Sequence, residues 1–475
     1  MGSINTNVAA LVAQQGLSTS QSQLRTALQR LSTGLKINSG ADDPAGLIVS
    51  NELQSQIAGI NQAVSNSSQA NNVIATAEGA LNEVSSLLLN IKSLVVESAN
   101  SGAISSSQIS ANQLQVDSAV QSITRIADST TFAGQNLIDG SLNYITSGVS
   151  NTAIKALSVS QADLGTQGAI PVNINVLTSA QPAQLEFATS QIGNSITLDV
   201  GGATGTQTLS FASGTAASAI IFAVNRVSDA TGISAVGINP AHLQSGVIFK
   251  SSAYGSKNFV SVTAQSGTFQ TTDLSGNNKN RAVGRDAVAT VNGAVTIGDG
   301  LNLQVNTSSL DLNFTLSSTF GKGATSFAIT GGGASFQLGP QVVSDQQVSI
   351  GIGSVSADQL GNNNVGFLSD LSTGGSASLV GGNAEQASAI IEAAINQVSL
   401  LSGRLGAFQK NTLNTNIDSL NVALENVTSS ESNIEDADFA AETSNLTRAQ
   451  ILVSAGTSVL ATANSTPQSV LKLLQ

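Results

Sequence analysis

The chain of 475 residues has no cysteine, no tryptophan, one histidine and six prolines. Without cysteine it can hold neither a disulfide framework nor a thiolate metal site. A single histidine, His242, cannot supply the paired histidines of an H-E-x-x-H zinc site, and alone it reads as a structural or solvent-facing residue. Only 10% of residues are charged, against roughly 25% in an average soluble protein. The surface must therefore be built from Ser, Thr, Asn, Gln and Gly, which suits close packing against copies of the same chain. No apolar run reaches the roughly 18 residues that a membrane helix needs, and the first twenty residues lack the charged and apolar regions of a Sec-type signal peptide. A route that threads an unfolded chain without cleavage would leave the same sequence.

What charge there is carries one sign. The net charge is −12, spread evenly: residues 1–140 hold 5 basic and 9 acidic groups, 141–385 hold 8 and 12, and 386–475 hold 4 and 8. No basic patch exists to neutralise phosphates, which argues against nucleic-acid binding. The length allows roughly three domains, and the prolines and phenylalanines mark them. No proline occurs in 45–170 or 341–466, so long helices are permitted there. Eleven of the 14 phenylalanines lie in 141–385.

Both ends have helical periodicity. Leu24, Leu28, Leu31 and Leu35 recur at steps of 4, 3 and 4, the pattern of a coiled-coil seam. A second stripe runs from Ile57 to Val95, with polar Ser67 and Asn71 at seam positions, and a third from Ile109 to Ile126. Near the other end, Ile390 to Phe408 and Leu413 to Val427 form one stripe. The charged segment SSESNIEDADFAAE is expected to break it, after which Leu446, Val453 and Leu460 repeat at sevens and the chain closes on SVLKLLQ, with Leu471 and Leu474. The middle reads as strands. Asn292-Gly293 between alternating apolar residues signals a two-residue hairpin, and AASAIIFAVNRVSDATG reads as a short helix closed by Gly232.

The stretch INSGADDPAGLIVSNELQSQI, residues 37–57, interrupts this pattern with two adjacent aspartates. A carboxylate pair for metal or acid–base chemistry needs convergent partners, and none is visible. Asp43 before Pro44 is instead the expected start of a helix, the carboxylate capping backbone N–H groups and proline occupying the first helical position. Asp42, Asp43 and Pro44 thus read as a joint between helices. FGKGATS at 320–326 resembles a phosphate-binding loop, but Gly323 and Leu316 stand where Ser or Thr and Gly are required.

LQRLSTGLKINSGADDPAGLIVSNELQSQIAGI, TAEGALNEVSSLLLNIKSLVVESANSG and DSTTFAGQNLIDGS resemble the N-terminal block of bacterial flagellin. IEDADFAAETSNLTRAQILVSAGTSVLATANSTPQSVLKLLQ resembles its C-terminal block. The resemblance covers about 1–145 and 386–475. It implies a multidomain α+β chain with long α-helical coiled-coil termini and an inserted β-rich outer region. Its segments would be an N-terminal inner-tube helix at 1–40 and the N-terminal part of an outer-tube domain at 41–145. A variable outer region would follow at 146–385, with an insert-like module at 191–267 and a second β segment at 285–355. The C-terminal part of the outer tube would lie at 386–430 and a C-terminal inner-tube helix at 431–475.

The function it implies is a structural subunit that polymerises into the flagellar filament for motility, its ends folding on assembly, with no catalytic role and no cofactor or metal. The assembly seam would comprise Leu24, Leu28, Leu31, Leu35, Leu446, Val453, Leu460, Leu471 and Leu474. Export would run through the flagellar type III channel to the cell exterior. Implied partners are further copies of the chain, an export chaperone, the filament cap and hook-junction proteins, with no nucleic acid or membrane. The family also carries a patch read by a host Toll-like receptor, in which an Arg-rich run precedes a Leu and a Glu stands on the adjacent helix. Matching positions here are Asn90, Lys92 and Leu94, with Gln115 on the adjacent helix, so the expected Arg at 90 and the Glu are absent and engagement would be weak. The competing readings are a hook–filament junction protein, an adhesive binding module in 146–385, and an enzyme relying on carboxylates alone.

Overall fold

The computed structural model describes residues 6–100, 102–164, 168–239, 241–307 and 309–473, leaving aside the side chains of 243–244 and 467–473. Its helices are α1 (Val8–Thr33), α2 (Pro44–Ala99), α3 (Ser106–Ser129), α4 (Ala217–Arg226), the single turn α5 (Ser228–Thr231), α6 (Ala384–Phe408), α7 (Thr415–Glu435) and α8 (Phe439–Leu473). Local signals start and stop them. The Asn7 side chain caps α1, and Gly34 ends it in the left-handed region at φ 76°. Ser105 and Gln108 form a reciprocal capping box on α3. The proline-free window after Pro44 becomes one helix of 56 residues.

The chain divides into two compact units. The first comprises Met1–Ala70, Gln337–Gln346 and Lys410–Gln475. In it α2 runs antiparallel to α7: Ile60 and Ala63 pack with Leu420, and Gln54 bonds Glu431 and Glu435. Buried Ser67 gives its hydroxyl proton to Ala63 O and accepts from Asn416 Nδ2. The charged segment after Val427 does not end the helix there. α7 continues through Glu435, and only residues 436–438 separate it from α8. Asp436 is non-helical at φ −75°, ψ 144°, and Asp438 Oδ1 caps the next helix at Ala440 and Ala441. The break between the helices is therefore a capping event at 436–438. The five-residue step from Phe408 to Leu413 corresponds to a π-helical turn, Gln409–Asn414, which absorbs one extra residue and keeps the stripe inward.

The second unit comprises Asn71–Phe336 and Gln347–Gln409. Its helical part is built on α2, where Ile74, Ala77, Leu81, Val84, Leu88, Ile91 and Val95 are buried at alternating steps of 3 and 4. α6 runs antiparallel to it, with Lys92 bonded to Glu392 at 3.2 Å and Glu78 beside Gly406. Gln113 on α3 is buried and fully used: its Nε2 donates to Leu371 O, and its Oε1 accepts from Leu379 N at 2.8 Å.

The β part is two modules, one inserted in the other. A five-stranded sheet, in the order Ala294–Val295, Val288–Val291, Ile170–Thr178, Gly323–Gly332 and Tyr144–Ser147, shares a core with a four-stranded sheet, in the order Ile297–Asp299, Asn302–Asn306, Leu310–Leu316 and Ile154–Ala162. The inserted module joins the sheet of Arg281–Val283, Phe259–Ser266, Ile196–Gly201 and Thr206–Phe211 to that of Pro182–Phe187, His242–Tyr254 and Ile233–Asn239. α4 packs on them through Ile220 and Val224, and Phe187 stacks on Phe269 at 4.0 Å. The module thus extends beyond 191–267, because strands 182–187 and 281–283 complete its sheets. The segment 285–355 is not separate either, since its strands pair with those of 144–178. Gly321–Gly323 turns into a strand rather than a helix, the wrong context for a phosphate loop.

Chain entry and exit of the module pair directly, Gln181 N to Arg285 O and Arg285 N to Gln181 O, both at 2.8 Å. A Cβ on Gly284 would lie 2.4 Å from Gly255 O, and one on Gly298 2.1 Å from Ala287 O, so backbones meet here without side chains between them. One carboxylate locks this joint. Asp286 accepts Ser256 N (2.9 Å) and the Ser256 hydroxyl from the inserted module, and Gly300 N (2.8 Å) from the sandwich. Partial burial pulls its pKa upward, but the Ser256 hydroxyl, the Gly300 and Ser256 N–H groups and the Lys257 charge outweigh this and hold it below the usual range. A depressed carboxyl pKa contributes stability above the unfolded value of about 3.9, and that stability is lost as pH falls through the folded value. Asp286→Ala is expected to cost about 1–3 kcal/mol by stranding these donors, read as a lower thermal midpoint at neutral pH. The deficit relative to the unaltered chain should shrink as pH is lowered through the carboxyl range.

Candidate functional site

The two ends of the chain meet in the first unit. α1 and α8 pack along each other, and the bonds between them set an antiparallel register: Asn7 Nδ2 donates to Ala463 O at 2.8 Å, and Arg30 lies 3.8 Å from Glu442. Arg30 is in the last turn of α1 and Glu442 in the first turn of α8, each placed favourably for its helix dipole. The shielded positions of α1 include Ala10, Ala13, Leu17, Ser20, Leu24, Ala27 and Leu31, with Thr26 and Arg30 beside them. Those of α8 are Glu442, Leu446, Ala449, Val453, Gly456, Leu460 and Ala463. Both series alternate steps of 4 and 3, the spacing of a two-stranded coiled coil. Many of these residues are small. A Cβ on Gly456 would stand 3.3 Å from Leu17 Cδ1, so the helices approach closely there.

Of the residues marked by leucine spacing, Leu24, Leu31, Leu446, Val453 and Leu460 lie on this shielded face. Leu28 does not: it is 49% exposed. Steps of 4, 3 and 4 fit two phases of the heptad, and the phase adopted puts Ala27, 2% exposed, against α8 in its place. Leu35 lies beyond the Gly34 cap, where it bridges to Asp436. The Leu471 side chain and Leu474 fall outside the described residues. Leucine spacing alone misses Ala13, Ser20, Ala27, Ala449, Gly456 and Ala463, which become visible when the heptad is counted through small residues.

A narrow seam leaves much apolar surface uncovered. Val12 (65% exposed), Val8 and Leu11 on α1, and Ile451 (63%), Val459 and Phe439 on α8, all face away from it. Around them the hydroxyls are turned inward to the helix backbone: Thr19 to Gln15 O, Ser20 to Gly16 O, Thr26 to Ser22 O, Thr443 to Phe439 O, Thr447 to Thr443 O and Thr462 to Ser458 O. These bonds leave the methyl and methylene groups as the outer surface.

The connector next to the pair is a hydrogen-bonded joint. Lys36 N donates to Glu435 O and Ala437 N to Gly34 O. Asp42 accepts Ser39 Oγ at 2.9 Å, Asn38 N at 3.1 Å and Ser39 N at 2.8 Å. The Ser39 hydroxyl bond and then the Asn38 N–H hold its carboxyl below the usual range. Asp43 Oδ1 instead caps α2 at Gly46 N (2.9 Å), with Pro44 as its first residue. A Cβ on Gly46 would lie 2.6 Å from Ile37 Cδ1. The two carboxylates serve different backbone donors, and no group of three or more metal-ligating side chains occurs among the described residues. Glu435, buried, accepts from Ser50 Oγ and from Gln54 Nε2 at 2.9 Å.

On the second unit, Asn90 and Gln115 are exposed, and Lys92 is held by Glu392. Leu94 is only 8% exposed. It belongs to the buried face of α2, beside Ile91 and Val95. Leu89, Val96 and Leu114 are apolar side chains standing outward there.

The N-terminal helical region of bacterial flagellin matches residues 4–143, and its C-terminal helical region matches 388–474. Across 99% of both chains the protein is 32% identical to B-type flagellin of Pseudomonas aeruginosa. Identity is 30%, again over 99% of both chains, to flagellin of Salmonella rubislaw and to flagellin B of Vibrio cholerae. Matches that run end to end, through the joint and both terminal helices, place the chain in the bacterial flagellin family as a subunit of the flagellar filament.

Proposed function

We propose that polymerisation is driven by the paired terminal helices, whose outer apolar residues are covered by neighbouring copies. The observation that carries this is the row of exposed Val8, Leu11, Val12, Ile451 and Val459 flanking a narrow seam in which every second position is small. Each such side chain, once covered, contributes about 1.5–3 kcal/mol. The pair alone shields too little to be firmly stable, so folding of the ends is coupled to assembly. Contacts between one patch and a different patch on the next copy do not close, and they build a helix.

In this reading residues 1–40 and 431–475 line the inner tube, 41–145 and 386–430 form the tube around it, and 146–385 project outward. The joint at Asp42, Asp43 and Pro44 connects the tubes. The subunit is exported unfolded to the cell exterior and meets an export chaperone, the filament cap and hook-junction proteins on the way. The role is structural and not catalytic, and the adjacent aspartates support this by being occupied with backbone N–H groups.

Val453→Asp places a charge in the seam and is expected to abolish filaments in electron micrographs of seeded, purified protein, while the β modules keep their unfolding transition. Normal filaments from that variant would remove the seam from the assembly mechanism. Recognition by a flagellin-sensing Toll-like receptor is expected to be weak, because Asn90 and Gln115 lack charge and Leu94 is inward. Reporter cells given purified monomer measure this directly, and strong activation at low dose would overturn it.

A further inference from the structure

The sequence contains one Asn-Gly step, Asn292-Gly293. It forms the two-residue turn between strands Val288–Val291 and Ala294–Val295, with Asn292 at φ 49° and Gly293 at φ 90°. Both signs fit a type I′ hairpin turn. Such a step is also chemically reactive, because glycine places no side chain in the way of its own backbone nitrogen. That nitrogen attacks Asn292 Cγ, a Cγ–N bond forms, the Cγ–Nδ2 bond breaks, and ammonia leaves with the proton. One water then opens the resulting succinimide to aspartate or isoaspartate. No cofactor or enzyme is needed.

The fold opposes this reaction in a specific way. Strand 288–291 pairs with strand 170–178 as far as Val291–Ile174. Beyond that point Asn292 continues the pairing. Its backbone N–H donates to Asn173 O at 2.9 Å, its Oδ1 accepts Asn173 N at 2.8 Å, and its Nδ2 donates to Pro171 O at 3.0 Å. The side-chain amide stands in for a strand residue, satisfying one donor and one acceptor of the neighbouring strand. Swinging Cγ onto Gly293 N must break both side-chain bonds. The products fit poorly: a carboxylate sets an acceptor against Pro171 O, and isoaspartate adds a methylene to a turn whose two positive φ angles leave no slack.

We propose that Asn292 is a fold-gated self-modification site, deamidating readily in the unfolded chain and slowly in the native hairpin, and that a chain modified there forms a weakened sandwich edge. The test is peptide mass spectrometry of the full chain held at neutral pH, with and without concentrated urea, following the amide-to-acid exchange and isoaspartate at position 292. The native rate should be lower by roughly tenfold or more, the factor set by a local opening free energy of about 1.4 kcal/mol. Equal rates, or faster reaction in the native chain, would overturn the gating. Asn292→Asp reports on the product: a downward shift of the unfolding temperature supports the weakened edge, and an unchanged or raised temperature refutes it.

Discussion

Everything at the ends of this chain depends on one interaction, the antiparallel pairing of α1 with α8. It joins residues as far apart as Asn7 and Ala463, so it can form only when both termini are present. Closing a loop of that length carries an entropic cost that grows slowly with chain length. The β modules between the ends have their own cores and do not wait for the pair. The seam alternates leucine or valine (Leu17, Leu24, Leu31, Leu446, Val453, Leu460) with small residues (Ala13, Ser20, Ala27, Ala449, Gly456, Ala463), and the small positions bring the two helices close while removing little apolar area from water. On the proposed reading, a pair that is well fitted but sparsely buried gains stability from the copies that cover its outer faces.

The scarcity of charge follows the same physical logic. Long charged side chains would hold water between packed copies and cost side-chain entropy to order. Serine and threonine avoid both when their hydroxyls bond back to the carbonyl four residues earlier, as at Thr19, Thr26, Thr447 and Thr462. Two acidic groups serve as N-terminal helix acceptors, Asp43 at the start of α2 and Asp438 at the start of α8. The carboxylates that look most like a catalytic pair are thus parts of a joint, and their adjacency reflects two turns in succession.

Much of this was legible in the residues because it is local. Asp43-Pro44 marks a helix start, Asn292-Gly293 a hairpin, and the stripe from Ile74 to Val95 a buried helix face, and each depends on neighbours a few positions away. What could not be read depends on distant partners. The phase that turns Leu28 outward is chosen by α8. The placement of Leu94 inside rather than outside is decided by the helices packed on α2. The nesting of one β module within another requires knowing that strand 288–291 pairs with 170–178 across a whole intervening module. In the segment after Val427 the charges interrupt the apolar stripe, but a helix tolerates Glu and Ser well enough to continue until Asp436.

The direct pairing of Gln181 with Arg285 has a consequence for how such chains diversify. Two strands that hydrogen-bond at the crossing hold their Cα atoms about 5.5 Å apart. Everything from 182 to 284 is therefore strung between two points that a tight turn could join. The buried residues of the sandwich core all lie outside that segment, which adds only the half-buried Tyr254 to it, and each end of the excursion is already anchored in paired backbone. A polypeptide of a different length whose ends come together fits the same crossing once it replaces the Ser256 bonds to Asp286, which makes this crossing a natural port for exchanging one segment for another.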